Sequence, residues 1–265
     1  MHTTARPFPK ASLAMSDPVA DGSGTAAHIP AQDPVAASRQ ISATLGLLRE
    51  QIEPKRRVVH AGDVIYRSGE RFFNLYILNS GLCKFVNLAA DGREQLVSLS
   101  FRGDWLGFDG LAHGHYSADA IAMDTGEIWV VSYEVLMEAS KNCPAILHAL
   151  HAAMSQAIAR DRGALMSVCT LPAIARVADF LLNWADSLAE RGMRTDEITL
   201  RMTRAEIGNH LGMTLESVSR ALSRLARVHI IGFATQGRRD VQIPDLGALS
   251  AFVQGHLSPA PAVLQ

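Results

Sequence analysis

The chemistry in this chain is concentrated in one stretch. Between Arg201 and Asp240 stand Arg201, Arg204, Arg220, Arg224, Arg227, Arg238 and Arg239, against Glu206, Glu216 and Asp240. That is a local charge of +4 on a chain whose formal net charge is −1. An arginine excess of this kind suits a surface that neutralises phosphates. Charge alone fits a solvated helix face equally well.

Spacing narrows the choice. Thr203-x-x-Glu206 is a capping box and predicts a helix over Arg204–Leu211. Gly212 falls where a tight turn needs a left-handed residue. Thr214 can cap a second helix, Leu215–Val228, with Val218, Leu222 and Leu225 packed on the first. The opposite face carries Glu216, Ser219, Arg220 and Arg227. This is helix–turn–helix geometry, and it offers the polar first turns of helix two to a DNA major groove. Arginine donates two bonds to guanine, glutamate accepts from cytosine N4, and serine adapts. Glu216, Ser219, Arg220 and Arg224, with Thr203 and Thr214 at the helix starts, are the candidate DNA contacts. Gly232–Gln236, Gly237 and Asp240–Ile243 read as a small hairpin, a wing that brings Arg238 and Arg239 to phosphates.

The elements that must hold this reading head come earlier. Residues 1–40 are rich in Ala, Pro, Ser and Asp and read as a disordered tail, followed by a short helix at Ile41–Glu53. From about Arg57 to 132, short β-rich runs are punctuated by glycine, with an Asp91-Gly92 hairpin signal. The expected strands are Val58–His60, Val64–Tyr66, Leu75–Leu78, Leu82–Leu88, Gln95–Leu99, Asp104–Phe108 and Glu127–Val131, a sandwich or barrel. From Tyr133 to about Val168 the period becomes helical. Leu147, His151, Met154, Ile158, Asp161 and Leu165 follow at heptad steps, a seam suited to a twin helix across a dimer axis. Ile174–Ala189 is a further helix, with Val177, Leu181, Leu182 and Trp184 toward the core. The expected division is a tail at 1–40, a β-roll at 41–140, a dimerisation helix at 141–169, a winged helix–turn–helix at 170–250 and a tail at 251–265. The fold class is α+β.

Composition excludes other classes. With 265 residues, 48% hydrophobic and 19% charged, the chain is globular. Cys83, Cys143 and Cys169 are odd in number and widely spaced, so a reducing cytoplasm is the expected compartment and no secreted disulfide framework is expected. No segment reads as a membrane span. There is no Gly-rich phosphate loop, G-x-S-x-G elbow, H-E-x-x-H pair or paired-carboxylate arrangement, so no enzyme is expected and there are no catalytic candidates.

These residues carry a resemblance. Met202-Thr203-Arg204, Glu206-Ile207-Gly208-Asn209, the Glu216-x-x-Ser219-Arg220 pattern and Gly103-Asp104-Trp105-Leu106-Gly107-Phe108-Asp109 resemble the Fnr branch of the Crp–Fnr transcription regulators, over about residues 55–250. The resemblance implies a β-roll sensor, a dimer helix and a winged helix–turn–helix. It implies a homodimer on an inverted repeat of TTGAT-type half-sites in double-stranded DNA. Leu215 stands where the cAMP-receptor branch has an arginine, which argues against that branch's TGTGA-type site. Ile158 and Asp161 match positions that govern the monomer–dimer balance. Exposed β-roll loops near Arg102–Asp104 are expected to touch RNA polymerase.

The sensor departs from the family. No cysteine precedes Cys83, and the β-roll cysteine position is Trp129, so no iron–sulfur cluster of the family type is expected. Gly107-Phe108 and Tyr116-Ser117 replace the Gly-Glu and Arg-Ser pairs that hold cAMP, so cAMP is not expected. The expected cofactor set is empty. Haem stays open through His28, His60, His113, His115, His148 and His151, and His113-x-His115 gives no complete metal set. The alternative reading is a haem- or small-molecule-binding sensor that engages DNA only when liganded.

Overall fold

Asp33 starts the first helix by accepting the Val35 amide at 3.1 Å, with Pro34 in the first turn, where its missing N–H costs nothing. The computed structural model describes residues 33–88, 94–234 and 239–257. Helix α1 covers Pro34–Gln51, so residues 34–40 belong to a helix and not to the expected tail. Its Leu45 and Leu48 are buried against the β-roll, and that burial holds the helix in place.

Eight strands follow: β1 (Lys55–Val59), β2 (Val64–Tyr66), β3 (Asn74–Ser80), β4 (Cys83–Leu88), β5 (Glu94–Ser100), β6 (Trp105–Leu106), β7 (Asp119–Ala122) and β8 (Gly126–Ser132). They form two four-stranded antiparallel sheets, ordered β1-β8-β3-β6 and β2-β7-β4-β5. Strand β7 is absent from the expected set. Its sequence, Asp-Ala-Ile-Ala, has a single β-branched residue, so its strand state comes from pairing with β2 and β4. The Asp91-Gly92 turn lies outside the described residues, while the flanking β4 and β5 pair from Cys83↔Ser100 to Leu88↔Glu94.

The helical stretch from Tyr133 is two helices, not one. α2 (Tyr133–Asn142) stops at Cys143, and α3 (Pro144–Thr170) starts on Pro144. Proline drives the residue before it out of helical geometry, and Cys143 sits at φ −131° and ψ 85°. The expected dimerisation helix therefore begins at residue 144 and not at 141.

The C-terminal part contains α4 (Ala173–Ala189), β9 (Glu197–Thr199), α5 (Arg204–Leu211), α6 (Leu215–Arg227), β10 (Gly232–Phe233), β11 (Asp240–Gln242) and α7 (Leu246–Leu257). Val177, Leu181, Leu182 and Trp184 are all buried in its core, as expected. Leu249 and Val253 bury α7 in the same core, which carries structure past the expected end at residue 250. That core crosses the domain border and includes Leu82 and Leu96 of the β-roll. Among the described residues, no helix is long and apolar enough to cross a membrane.

A buried charged cluster joins three parts of the chain. Asp104, on the turn before β6, accepts Arg191 from beyond α4 at 2.9 Å and Arg160 from α3 at 3.0 Å. The Arg191 and Asp104 side chains are 2% and 7% exposed, so neither is solvated. Arg191 also donates to the Arg102 and Ser187 carbonyls and lies over the Phe101 ring. The loop expected to present Arg102–Asp104 to RNA polymerase thus turns its aspartate inward, because Arg191 needs a buried counter-charge.

Candidate nucleic-acid interface

Local chemistry builds the reading head. Thr203 Oγ1 accepts the Glu206 amide at 3.1 Å, and Glu206 Oε2 accepts the Thr203 amide at 2.8 Å, so the expected capping box is complete. Gly212 takes φ 63° at the end of α5. Gly208 serves a different purpose: a Cβ there would stand 2.5 Å from the Met213 carbonyl oxygen. That close approach lets the turn fold back onto α5, where the Met213 amide donates to the Gly208 carbonyl at 2.8 Å. Arg176 of α4 donates to the Leu211 carbonyl at 2.9 Å, satisfying one of the orphan acceptors at the end of α5.

Thr214 caps α6 by accepting from Ser217 N–H at 3.3 Å. Val218, Ala221, Leu222 and Leu225 are buried, while Glu216, Arg220, Ser223, Arg224 and Arg227 are exposed and Ser219 is half-buried beside them. The structure therefore places the expected α6 candidates on one solvent-facing surface. Both threonine hydroxyls cap helix starts, Thr203 that of α5 and Thr214 that of α6. Ser223 was not among the expected residues. It lies three residues after Arg220 and four after Ser219, and that helical spacing was the available signal.

Two interactions pre-set the charges. Arg220 Nη2 donates to Ser217 Oγ at 3.2 Å, which holds the guanidinium near the start of the helix. Glu216 lies below its ordinary carboxylate range, through backbone hydrogen bonding first and then the Thr214 hydroxyl and nearby Arg220. The wing is present as β10 and β11, and β9 extends it to a three-stranded sheet. Arg239 is exposed at its edge, and Arg238 lies outside the described residues.

His210, at the back of α5, is held below its ordinary value of 6.5 by burial, opposed by its hydrogen bond with the Leu96 carbonyl. A group depressed in the fold binds its proton more readily in the unfolded chain. It therefore contributes stability that is complete above the unfolded value and is lost as pH falls through the folded one. The melting temperature should drop between pH 7.5 and pH 5.5, and His210→Phe should flatten that drop, as read by circular dichroism. Equal pH slopes in the two proteins would contradict this account.

The seam on α3 divides in two. Leu147 and Met154 are half-buried and pack on the β-roll core of their own chain. His151, Ile158, Asp161 and Leu165 face solvent, with Ile158 48% and Leu165 63% exposed. Met166, beside Leu165, adds an apolar group at 50% exposure. The Asp161 carboxyl is pushed up by desolvation, with Arg160 opposing.

In the β-roll, Tyr66, Tyr76 and Tyr116 fill the interior, with Tyr66 and Tyr116 stacked at 4.0 Å between centroids. Asp109 Oδ2 accepts from the Ser117 amide at 2.7 Å, the Ser117 hydroxyl at 3.0 Å and the Ala118 amide at 3.2 Å. Cys83 is buried on β4, its thiol pushed up to about 12 by burial and then by Asp124 and Asp104. Cys143 lies between α2 and α3, and Cys169 is exposed near the end of α3. Trp129 is buried in β8, its indole N–H donating to Glu127 Oε1 at 2.8 Å. His60, His113, His115, His148 and His151 are all exposed and His28 lies outside the described residues. Among the described residues, no three His, Cys, Asp or Glu side chains group as a metal set.

A β-roll joined through a long helix to a winged helix–turn–helix with an arginine-rich reading face defines a DNA-binding regulator, not an enzyme. Residues 56–143 match the cyclic nucleotide-binding domain, and residues 175–252 match the Crp-like helix-turn-helix domain. The chain is 30% identical to the fumarate and nitrate reduction regulatory protein of Salmonella typhimurium over 78% of its own length and 81% of that protein's. It is 29% identical to the anaerobic regulatory protein of Pasteurella multocida, covering 76% and 72%. The structure of FixK2 from Bradyrhizobium japonicum superposes with a TM-score of 0.66 at 26% identity, covering 79% of this chain and 99% of that one. The chain belongs to the Crp–Fnr superfamily of transcription regulators.

Proposed function

We propose that this regulator works in the cytoplasm as a homodimer on an inverted repeat of TTGAT-type half-sites, with RNA polymerase as its partner at promoters. The observation that carries the reading is the solvent-facing side of α6, where exposed Glu216 and Arg220 stand together with half-buried Ser219. Two such helices related by a two-fold axis fit successive major grooves about one DNA turn apart. Fluorescence anisotropy on a TTGAT-N4-ATCAA duplex against a scrambled duplex, at one salt concentration, tests it. Specific binding is expected from protein without added cofactor. Equal binding to both duplexes would refute the half-site.

The same reading excludes cyclic nucleotide as the signal. It is supported by Asp109, whose carboxylate already takes the donors of Ser117 and Ala118, and by the tyrosines filling the roll interior. An added anion would meet the Asp109 carboxylate there. Adding cAMP to the anisotropy experiment should leave the affinity unchanged.

The dimer is carried by the exposed face of the second half of α3. Ile158, Leu165 and Met166 are apolar groups that a second copy of the helix would cover. Two Asp161 carboxylates brought together across the axis would repel. Asp161→Ala is therefore expected to tighten the dimer by about tenfold, the equivalent of roughly 1.4 kcal/mol. Sedimentation equilibrium reads this directly, and an unchanged association constant would remove repulsion as the brake on dimerisation.

A further inference from the structure

Among the described residues, strand β5 is the edge of its sheet, and one row of its backbone groups has no strand partner. A side chain of the reading head takes that place. Asn209 Oδ1 accepts from the Leu96 amide at 2.6 Å, and Asn209 Nδ2 donates to the Glu94 carbonyl at 2.5 Å. The carboxamide thus offers one acceptor and one donor, as a neighbouring strand would. Gln95 Nε2 returns a bond to the Asn209 carbonyl at 2.7 Å. One turn earlier on α5, Glu206 Oε1 receives Lys84 Nζ of β4 at 2.6 Å, while its other oxygen caps the helix at Thr203. Glu206 lies below its ordinary range: burial acts upward, and Lys84 together with the Thr203 donors outweighs it. Beneath these bonds, Leu82 and Leu96 of the β-roll share a buried core with Ile207 and Leu211 of α5.

Neither Asn209 nor Lys84 lies on the exposed face of α6, so neither is needed for base contact. Both tie α5, and hence α6 packed upon it, to the same β-roll that packs on α3. We propose that Asn209 and Lys84 are positioning residues for DNA recognition: the β4–β5 hairpin clasps the first helix of the reading head and fixes its angle to the dimer helix. A clasped pair of reading heads fits one half-site spacing, because added base pairs both shift and rotate the second half-site along the duplex. An unclasped pair follows the DNA and accepts several. This inference rests on the dimer and inverted-repeat reading above.

The experiment uses the full chain and three duplexes: the repeat with a four-base spacer, the same repeat with a six-base spacer, and a single half-site. Wild-type protein is expected to prefer the four-base spacer strongly. Asn209→Ala should shrink that preference by roughly tenfold, the size of coupling that groups in one hydrogen-bond network carry, with single half-site affinity unchanged. Lys84→Ala should shrink it less, and Lys84→Arg should restore it. A loss of folding alone would lower all three affinities together. Hydrogen exchange at the Leu96 amide reads the clasp without DNA, and it should quicken by at least about tenfold in Asn209→Ala. A variant that keeps the wild-type spacing preference, or a Leu96 amide that exchanges equally in both proteins, overturns the proposal. Wild-type protein that binds the half-site but ignores spacing overturns it too. Wild-type protein that binds none of the duplexes refutes the TTGAT reading, and Leu96 exchange still decides the clasp.

Discussion

Replacing Asp104 with alanine is expected to cost about 3 kcal/mol of stability, because it takes from a buried guanidinium its nearest counter-charge and leaves only the more distant Glu190 carboxylate. Arg191, with a side chain 2% exposed, loses its nearest carboxylate partner at 2.9 Å, and Arg160 loses its own at 3.0 Å. The remaining acceptors of Arg191 are the neutral Arg102 and Ser187 carbonyls and the more distant, half-exposed Glu190 carboxylate at 3.4 Å. Asp104 also accepts the Phe101 amide at 2.8 Å, so the turn before β6 loosens with it. Because the cluster joins the β-roll, α3 and the segment after α4, the loss falls on the joint between parts. The wild type should melt in one transition. Asp104→Ala should melt earlier and in two, with the C-terminal part separating from the β-roll. Asp104→Asn keeps an acceptor for both arginines but no charge, and should fall between them. A midpoint equal to the wild type in Asp104→Ala would mean that water already reaches Arg191.

What the sequence made legible is what is local. The Thr203–Glu206 box, the Gly212 turn, the Thr214 cap and the buried stripe Val218–Leu222–Leu225 are each set by residues no more than four positions from the next. What it hid is non-local. Asp104 and Arg191 meet across 87 residues, and Lys84 and Glu206 across 122. No spacing rule reaches that far. The same reason explains β7, a strand made by its neighbours and not by its own residue types. The heptad steps on α3 did not show which seam positions pack on the chain itself. Leu147 and Met154 sit at seam positions and still pack on their own β-roll, since periodicity names a face without naming the partner. The Cys143-Pro144 break was legible from the proline and was overridden by the helical period on both sides.

Arg220→Ala is expected to produce the largest loss in DNA recognition. A bidentate arginine–guanine pair contributes about 1–3 kcal/mol of discrimination, and a dimer makes it twice. The expected loss on the TTGAT repeat is therefore about 2–6 kcal/mol, at least about thirtyfold in affinity. The loss should fall on specificity. Binding to a scrambled duplex depends on phosphate neutralisation and should change much less. Arg220→Lys should recover little, because an ammonium lacks the planar fork that matches guanine N7 and O6. Arg224, one turn further along the same exposed face, provides the contrast. If it meets phosphate, Arg224→Ala should weaken binding to all sequences alike and reduce the salt slope by about 1. Ser217→Ala should act through Arg220 by removing the hydroxyl that holds its guanidinium at 3.2 Å, and it should add little in an Arg220→Ala background. If Arg220→Ala still separates TTGAT from scrambled DNA as well as the wild type does, then α6 does not read the guanine through this residue. Glu216, charged and exposed in the first turn, would then be the next residue to test.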